Sequence, residues 1–305
     1  MNPARHVLFA LALAAPAVTA SAQTRVDQRR PADADGLVQI ENAAGSIKVI
    51  GWDRDEIQVT GSLGARAEGL EFVTRPRRTR IQVEVQGNPH RVTSDLEIRV
   101  PAGSRLQIES YSAAIDVRDV NGRIKAESVT GSIAIAGKPD EVEVESVSGA
   151  ISISGPAKRV RASATNANVT IRGVNGVIDA ETVNGTLEVS GGDFQEGRLE
   201  TVNGAIRFDG GLIGGATLDV ETVNGSVELR LPANLGADFT ISSFGGDIDS
   251  DFEVKLGPGS ISPRSGRDRH DRHDDRERGM RFTTGGGGAK VAITTLNGRI
   301  VLRKR

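Results

Sequence analysis

One phrase keeps returning. Glu181-Thr182-Val183-Asn184-Gly185-Thr186-Leu187-Glu188-Val189 recurs as Glu200-Thr201-Val202-Asn203-Gly204-Ala205-Ile206 and as Glu221-Thr222-Val223-Asn224-Gly225-Ser226-Val227. Looser copies begin at Glu127 and Glu145, and degenerate ones at Glu109, Ala164, Ser242 and Thr294. Taking the small residue of each copy as a register mark gives Ala113, Gly131, Gly149, Ala167, Gly185, Gly204, Gly225, Gly246 and Gly298. The steps between them are 18, 18, 18, 18, 19, 21, 21 and 52 residues. A fixed period of this size marks a stacked repeat, in which each unit is completed by its neighbours.

Within a copy, apolar or small residues stand seven, five and three places before the mark and two and four places after it. Around Gly225 these are Leu218, Val220, Thr222, Val227 and Leu229; around Ala113 they are Leu106, Ile108, Ser110, Ile115 and Val117. Alternation with period two on both sides of a corner reads as two strands joined by a bend. Gly and Asn at the bend suggest a backbone that needs positive φ. An Asn-Gly pair between strands also suits a tight hairpin, but a hairpin gives no reason for copies 18 residues apart to share register. A second bend follows half a period later, at Val120-Asn121-Gly122 and Val174-Asn175-Gly176. The reading is all-β: a parallel β-solenoid with coils of 18–21 residues.

The outward positions carry their own pattern. Six places before the marks stand Lys125, Glu143, Arg161, Asp179, Arg198 and Asp219, alternating in sign at every step. Parallel stacking makes these cross-strand neighbours, where opposite charges stabilise. Four places before the marks lies an acidic row: Glu109, Glu127, Glu145, Glu181, Glu200 and Glu221, interrupted by Ser163. Two places before lies an apolar row: Tyr111, Val129, Val147, Val183, Val202, Val223, Phe244 and Leu296. Either the corner tucks this row into the core and the acids are merely solvated, or the row points outward. In the second case Tyr111 to Phe244, with Glu127, Glu145, Glu181, Glu200 and Glu221, form a binding ridge.

The flanks divide the chain further. Met1 to Ala22 has a basic start at Arg5, an apolar stretch from Val7 to Ala15 and small residues at Ala20-Ser21-Ala22, the pattern of a signal peptide cleaved after Ala22. Residues 23–35 are polar and read as a flexible leader. Residues 36–105 hold a first copy around Gly45 and extra strands that read as an N-terminal β cap, with Trp52 as its plug. The main stack runs over 106–256. Residues 257–289 lack any hydrophobic period and read as a disordered charged and Gly-rich loop. Removing its 33 residues turns the 52-residue step into 19, so 290–305 read as the final coil.

Little points to chemistry. There is no cysteine, hence no disulfide or thiolate metal site, and a formal net charge of −2 argues against a nucleic-acid binder. No other apolar run has the length of a membrane span. His270 and His273 stand among aspartates but inside the loop, and no metal or cofactor is expected. Asp247 and Asp249, flanking Ile248, are the best candidate for a carboxylate pair of the kind glycoside cleavage uses. His90 is the only histidine in the part expected to fold, so no Ser-His-Asp set is assembled.

Three features together, Gly51-Trp52-Asp53 leading to Ile57-Gln58-Val59-Thr60-Gly61, then Leu96-Glu97-Ile98-Arg99-Val100-Pro101, then coils of Ser/Thr-x-x-Gly-x-Ile type, resemble a bacterial adhesin-like family of β-strand-repeat proteins. That family is defined around a domain of unknown function. The resemblance spans 36–305 and implies an envelope or surface role, with no catalytic residue to carry over. The resulting expectation is an exported, non-catalytic protein, periplasmic or secreted, that binds an envelope protein or polysaccharide or associates with itself. The alternatives are a carbohydrate-active β-helix enzyme and an envelope-stress partner of a membrane regulator.

Overall fold

The computed structural model describes residues 24–85, 87, 92–253 and 278–305. All regular elements among them are strands, and all 24 strands belong to one hydrogen-bonded network. The segment expected to be a signal peptide, residues 257–277 of the expected loop, and the histidines His90, His270 and His273 lie outside the described residues.

The repeats form two parallel ladders. One runs through β8 (Arg105–Ser110), β10 (Ile124–Ser128), β12 (Glu141–Ser146), β14 (Arg159–Ala164) and β16 (Gly176–Asn184). It continues into the second halves of β17 (Leu187–Asn203) and β18 (Ile206–Asn224). The other runs through β9 (Ala114–Arg118), β11 (Ile133–Ala136), β13 (Ile151–Ser154) and β15 (Val169–Arg172), then the first halves of β17 and β18, and β19 (Val227–Leu231). Equivalent residues face each other, so Val142 lies opposite both Ile124 and Val160. The alternating charges fall into line as the pattern requires: Lys125 opposite Glu143, Glu143 opposite Arg161, Arg161 opposite Asp179, Asp179 opposite Arg198, and Arg198 opposite Asp219.

The inward offsets build one continuous core. Leu106, Ile108, Ile115, Val117, Leu218, Val220, Val227 and Leu229 are all essentially excluded from solvent. The core is mostly Val, Ile, Leu and Ala.

The glycine marks have a different cause from the one the bend suggests. None of Gly131, Gly149, Gly185, Gly204, Gly225, Gly246 and Gly298 has positive φ. A Cβ on Gly225 would sit 1.7 Å from the carbonyl oxygen of Gly204, and one on Gly204 1.8 Å from that of Gly185. The marks stack backbone on backbone, and a side chain has no room there.

Both ends are interleaved. β2 (Leu37–Glu41) and β3 (Ala44–Trp52) pair on one side with β8 and β9. On the other side they pair with β6 (Arg78–Val85) and β7 (Thr93–Pro101), which come later in the chain. Of the extra strands expected to cap the first copy, β6 and β7 therefore contribute a further parallel pair to the ladders. Antiparallel strands finish this end: β4 (Glu56–Leu63) on β7, β1 (Thr24–Pro31) on β4, and β5 (Ala67–Arg75) on β6. The expected flexible leader is thus largely strand. Val26 is buried in it and Gln58 Nε2 donates to Asp27 Oδ1 at 3.1 Å, so the polar segment still has an inward residue and a side-chain partner.

At the other end β23 (Ala289–Asn297) and β24 (Ile300–Lys304) are not last in the stack. They lie between β18 and β19 on one side and β20 (Ala237–Ser243) and β21 (Ile248–Ser250) on the other. Residues 278–284, expected within the loop, form β22 (Arg278–Thr284), antiparallel to β20. Phe282 stacks on Phe239 at 4.7 Å, with Phe252 at 5.7 Å from Phe239 and Lys304 Nζ 5.3 Å above the Phe252 ring. These rings give β22 an apolar reason to fold back and cover the open end. Trp52 is no plug. It is half-exposed, its Nε1 donates to the Glu56 carbonyl at 2.9 Å, and Arg54 and Arg99 lie 5.1 and 5.9 Å from its ring.

Candidate functional site

The corner decides where the apolar row points. Hydrogen bonds between repeats do not stop at the strand ends: Thr130 N donates to Tyr111 O, Ser148 N to Val129 O, and Asn166 N to Val147 O, at 2.7–2.8 Å. Alternation therefore runs on through the bend. The residues three before the marks point in: Ser128, Ser146, Thr182, Thr201 and Thr222 are buried. Those two before point out. Tyr111 (42%), Val147 (44%), Val183 (40%), Val202 (39%), Phe244 (44%) and Leu296 (46%) are exposed, and Val129 and Val223 are half-exposed. Because the ends interleave, Leu296 stands before Phe244 along the row.

Two corner chemistries hold this geometry. In the Ser copies, the serine hydroxyl accepts from the mark's N–H: Ser110 from Ala113 at 2.7 Å, Ser128 from Gly131 and Ser146 from Gly149 at 2.9 Å. In the Asn-Gly copies the mark's N–H instead reaches the Asn carbonyl of the next repeat, as from Gly204 to Asn224 at 3.1 Å. The Asn amides then form a chain: Asn184 Nδ2 donates to Asn166, Asn203 to Asn184, Asn224 to Asn203 and Asn297 to Asn224. This amide chain is a feature sequence reasoning missed. Its signal was Asn297, which continues the row after Asn224, while the copy ending at Gly246 has Gly245 in that place.

Beside the apolar row runs the acidic one. Glu41 lies opposite Glu109, Glu109 opposite Glu127, and Glu127 opposite Glu145; beyond Ser163, Glu181 lies opposite Glu200 and Glu200 opposite Glu221. Some have local counter-charges. Lys125 pairs with Glu127 at 2.9 Å, Arg198 with Glu200 at 2.6 Å and Arg80 with Glu41 at 3.1 Å. The Glu127 hydrogen bond raises the Lys125 pKa, and that of Glu200 raises Arg198. Glu145, Glu181 and Glu221 have no ion pair among the described residues.

At the N-terminal half the two rows line a groove of about 580 Å³. Glu41, Glu109, Glu127, Glu145, Tyr111, Val129 and Val147 all line it. It closes at Ser163 and Thr165, the repeat in which both rows are broken. Asn42 and Gln82 complete the other end. Sequence reasoning missed Glu41 although it stands four places before Gly45, in register with the acidic row. Val183, Val202, Val223 and Phe244, with Glu181, Glu200 and Glu221, continue the ridge outside the groove.

A smaller hollow of about 200 Å³ on the other ladder is charge-balanced. There Glu188 pairs with Arg172, Glu228 with Arg230 and Asp209 with Arg305. Of the candidate carboxylate pair Asp247 and Asp249, Asp249 is held by Arg303 at 2.8 Å, which also holds Asp251 at 2.9 Å. Among the described residues no three His, Cys, Asp or Glu side chains converge as metal ligands, and no helix is long and apolar enough to cross a membrane.

No family model and no curated protein sequence matches the chain. Among solved structures, it is similar to a candidate cell-adhesion protein from Clostridium sporogenes, at 8% identity and a TM-score of 0.22, over 92% of this chain and 100% of that one. A candidate adhesin from Bacteroides fragilis matches at 10% identity and a TM-score of 0.42, over 92% and 98% of the two chains. One from Parabacteroides distasonis matches at 5% and 0.37, over 92% and 97%. These three solved structures are described as a candidate cell-adhesion protein and two candidate adhesins.

Proposed function

We propose that this chain is an exported, non-catalytic binding protein of the bacterial envelope. In this reading the two ladders are faces of a β-solenoid with coils of 18–21 residues, and its repetitive corner is offered to a protein or polysaccharide partner. The observation that carries the reading is the outward apolar row, exposed or half-exposed from Tyr111 to Phe244. The interior register is filled by other residues, so in this reading these side chains add little to the core. An apolar row on the surface, broken at Thr165 and resumed from Val183 to Phe244, supports an interaction site.

The test replaces Val147, Val183 and Val202 together with Thr. Thermal stability should stay close to that of the parent, and association with an envelope extract, or of the chain with itself, should fall. A loss of several kcal/mol with association intact, the cost of deleting buried apolar groups, would overturn the proposal.

A further inference from the structure

We propose that the groove between Glu41 and Thr165 binds an extended Lys- or Arg-rich segment of another protein. This rests on the binding reading above and names its partner chemistry.

The first support is a contrast within the same strands. Two residues before each acid, the row alternates in sign from Lys125 to Asp219. At the acid itself, Glu41, Glu109, Glu127 and Glu145 stand directly opposite one another in succession. Like charges at directly opposed positions destabilise a sheet. Arg80 and Lys125 offset Glu41 and Glu127, but Glu109 and Glu145 have no ion pair among the described residues, and a cationic ligand relieves the repulsion that remains.

The second support is independent of charge. Tyr111, Val129 and Val147 line the same groove and point outward beside the acids, exposed or half-exposed.

The two rows together fit one kind of side chain. Lys and Arg lay an aliphatic stem on apolar surface while the charged head reaches beyond it. Val129 and Val147 offer the surface and Glu127 and Glu145 receive the head; Tyr111 adds a ring face for a cation. From Glu41 to Glu145 is three inter-strand steps, about 14 Å. That is the reach of about five extended residues, whose alternate side chains put three cations on the acid row. A second copy of this chain is a poorer occupant, because a ridge-to-ridge pairing sets acids against acids.

The probe is a fluorescent peptide alternating Lys and Ser, with a Glu/Ser peptide as control, titrated by anisotropy against the full chain at low salt and at high salt. Saturable binding of the Lys peptide alone is expected, weakened at least tenfold by high salt and at least tenfold by Glu109→Gln/Glu127→Gln/Glu145→Gln. That variant removes repulsions together with the exposed Lys125–Glu127 pair and should melt close to the parent; if it melts lower, Glu145→Gln alone is used, with a several-fold loss expected. No saturable binding, or binding unchanged by the Gln variants, overturns the inference. Envelope association separates the two claims. If it falls in the valine-to-threonine variant but not in the glutamine variant, the binding function stands and the cationic partner is wrong.

Discussion

The carbonyl oxygen of Gly204 stands 1.7 Å from where a β-carbon on Gly225 would be. The same approach recurs at Gly246 over Gly298 and at Gly298 over Gly225. Gly225→Ala should therefore push two repeats apart and cost about 3 kcal/mol or more, the upper range for overpacking. Gly214 has open space around its Cβ position and no positive φ, so Gly214→Ala should change stability by about 0.5 kcal/mol or less. Denaturant melts of the two variants check both outcomes.

Arg161 has acids on both neighbouring strands but leans to one. Its guanidinium is 3.8 Å from Asp179, whereas Glu143 is drawn to Arg123 at 2.9 Å and Lys125 at 3.5 Å. A double-mutant cycle between Arg161 and Asp179 should give a coupling of about 0.5 kcal/mol, as expected for an exposed pair. The coupling should shrink in high salt. The cycle between Arg161 and Glu143 should give less; the opposite ranking would show that the side chains pair differently across this face.

Acid should act through two carboxylates. The Arg123 hydrogen bond holds Glu143 below its ordinary value of 4.5, and the Lys48 hydrogen bond does the same for Glu97. A depressed folded-state pKa contributes stability that is complete above the unfolded value and is lost as pH falls through the folded one. Stability should thus decline below about pH 4.5, the reference carboxylate range. Arg123→Ala should move the Glu143 titration upward by NMR and flatten that acid limb. An unmoved titration would remove Arg123 as the cause.

The aromatic cover should behave as a local unit. Phe282→Ala takes a buried ring off Phe239 and should cost about 3 kcal/mol. Hydrogen exchange should accelerate in β20 and β22 while the amides of β12 keep their protection. Uniform acceleration throughout the chain would mean that the cover and the stack unfold together.

Much of this was legible because repetition lets a sequence test itself. The sign alternation from Lys125 to Asp219 stated the register, and the pairing of those residues agrees with it. The direction of Val147 was not legible. Whether a bend leaves its ladder depends on backbone bonds such as Asn166 N to Val147 O, which no side-chain pattern reports. The reason for the glycines was misread, since a residue without Cβ serves positive φ and close approach alike. Spacing could not reveal the interleaved ends either: a repeat added last in sequence has the same length whether it stacks last or second to last. Residues 24–31 looked like a leader because an edge strand with one buried valine carries almost no hydrophobic period.

The interleaving at the C-terminal end has a consequence for assembly. Ala289–Lys304 follows β20 in the chain yet separates it from β18, and Asn297 meets Asn224 across 73 residues of sequence. Such long closures are slow to form, so β18 and β19 must wait with an unpaired edge until this keystone arrives. A chain interrupted before Ala289 would not be a shorter copy of the same molecule. It would present that edge, Thr217 to Asn224, as a template for the strands of other chains, and the species to look for in such a preparation is an aggregate rather than a monomer.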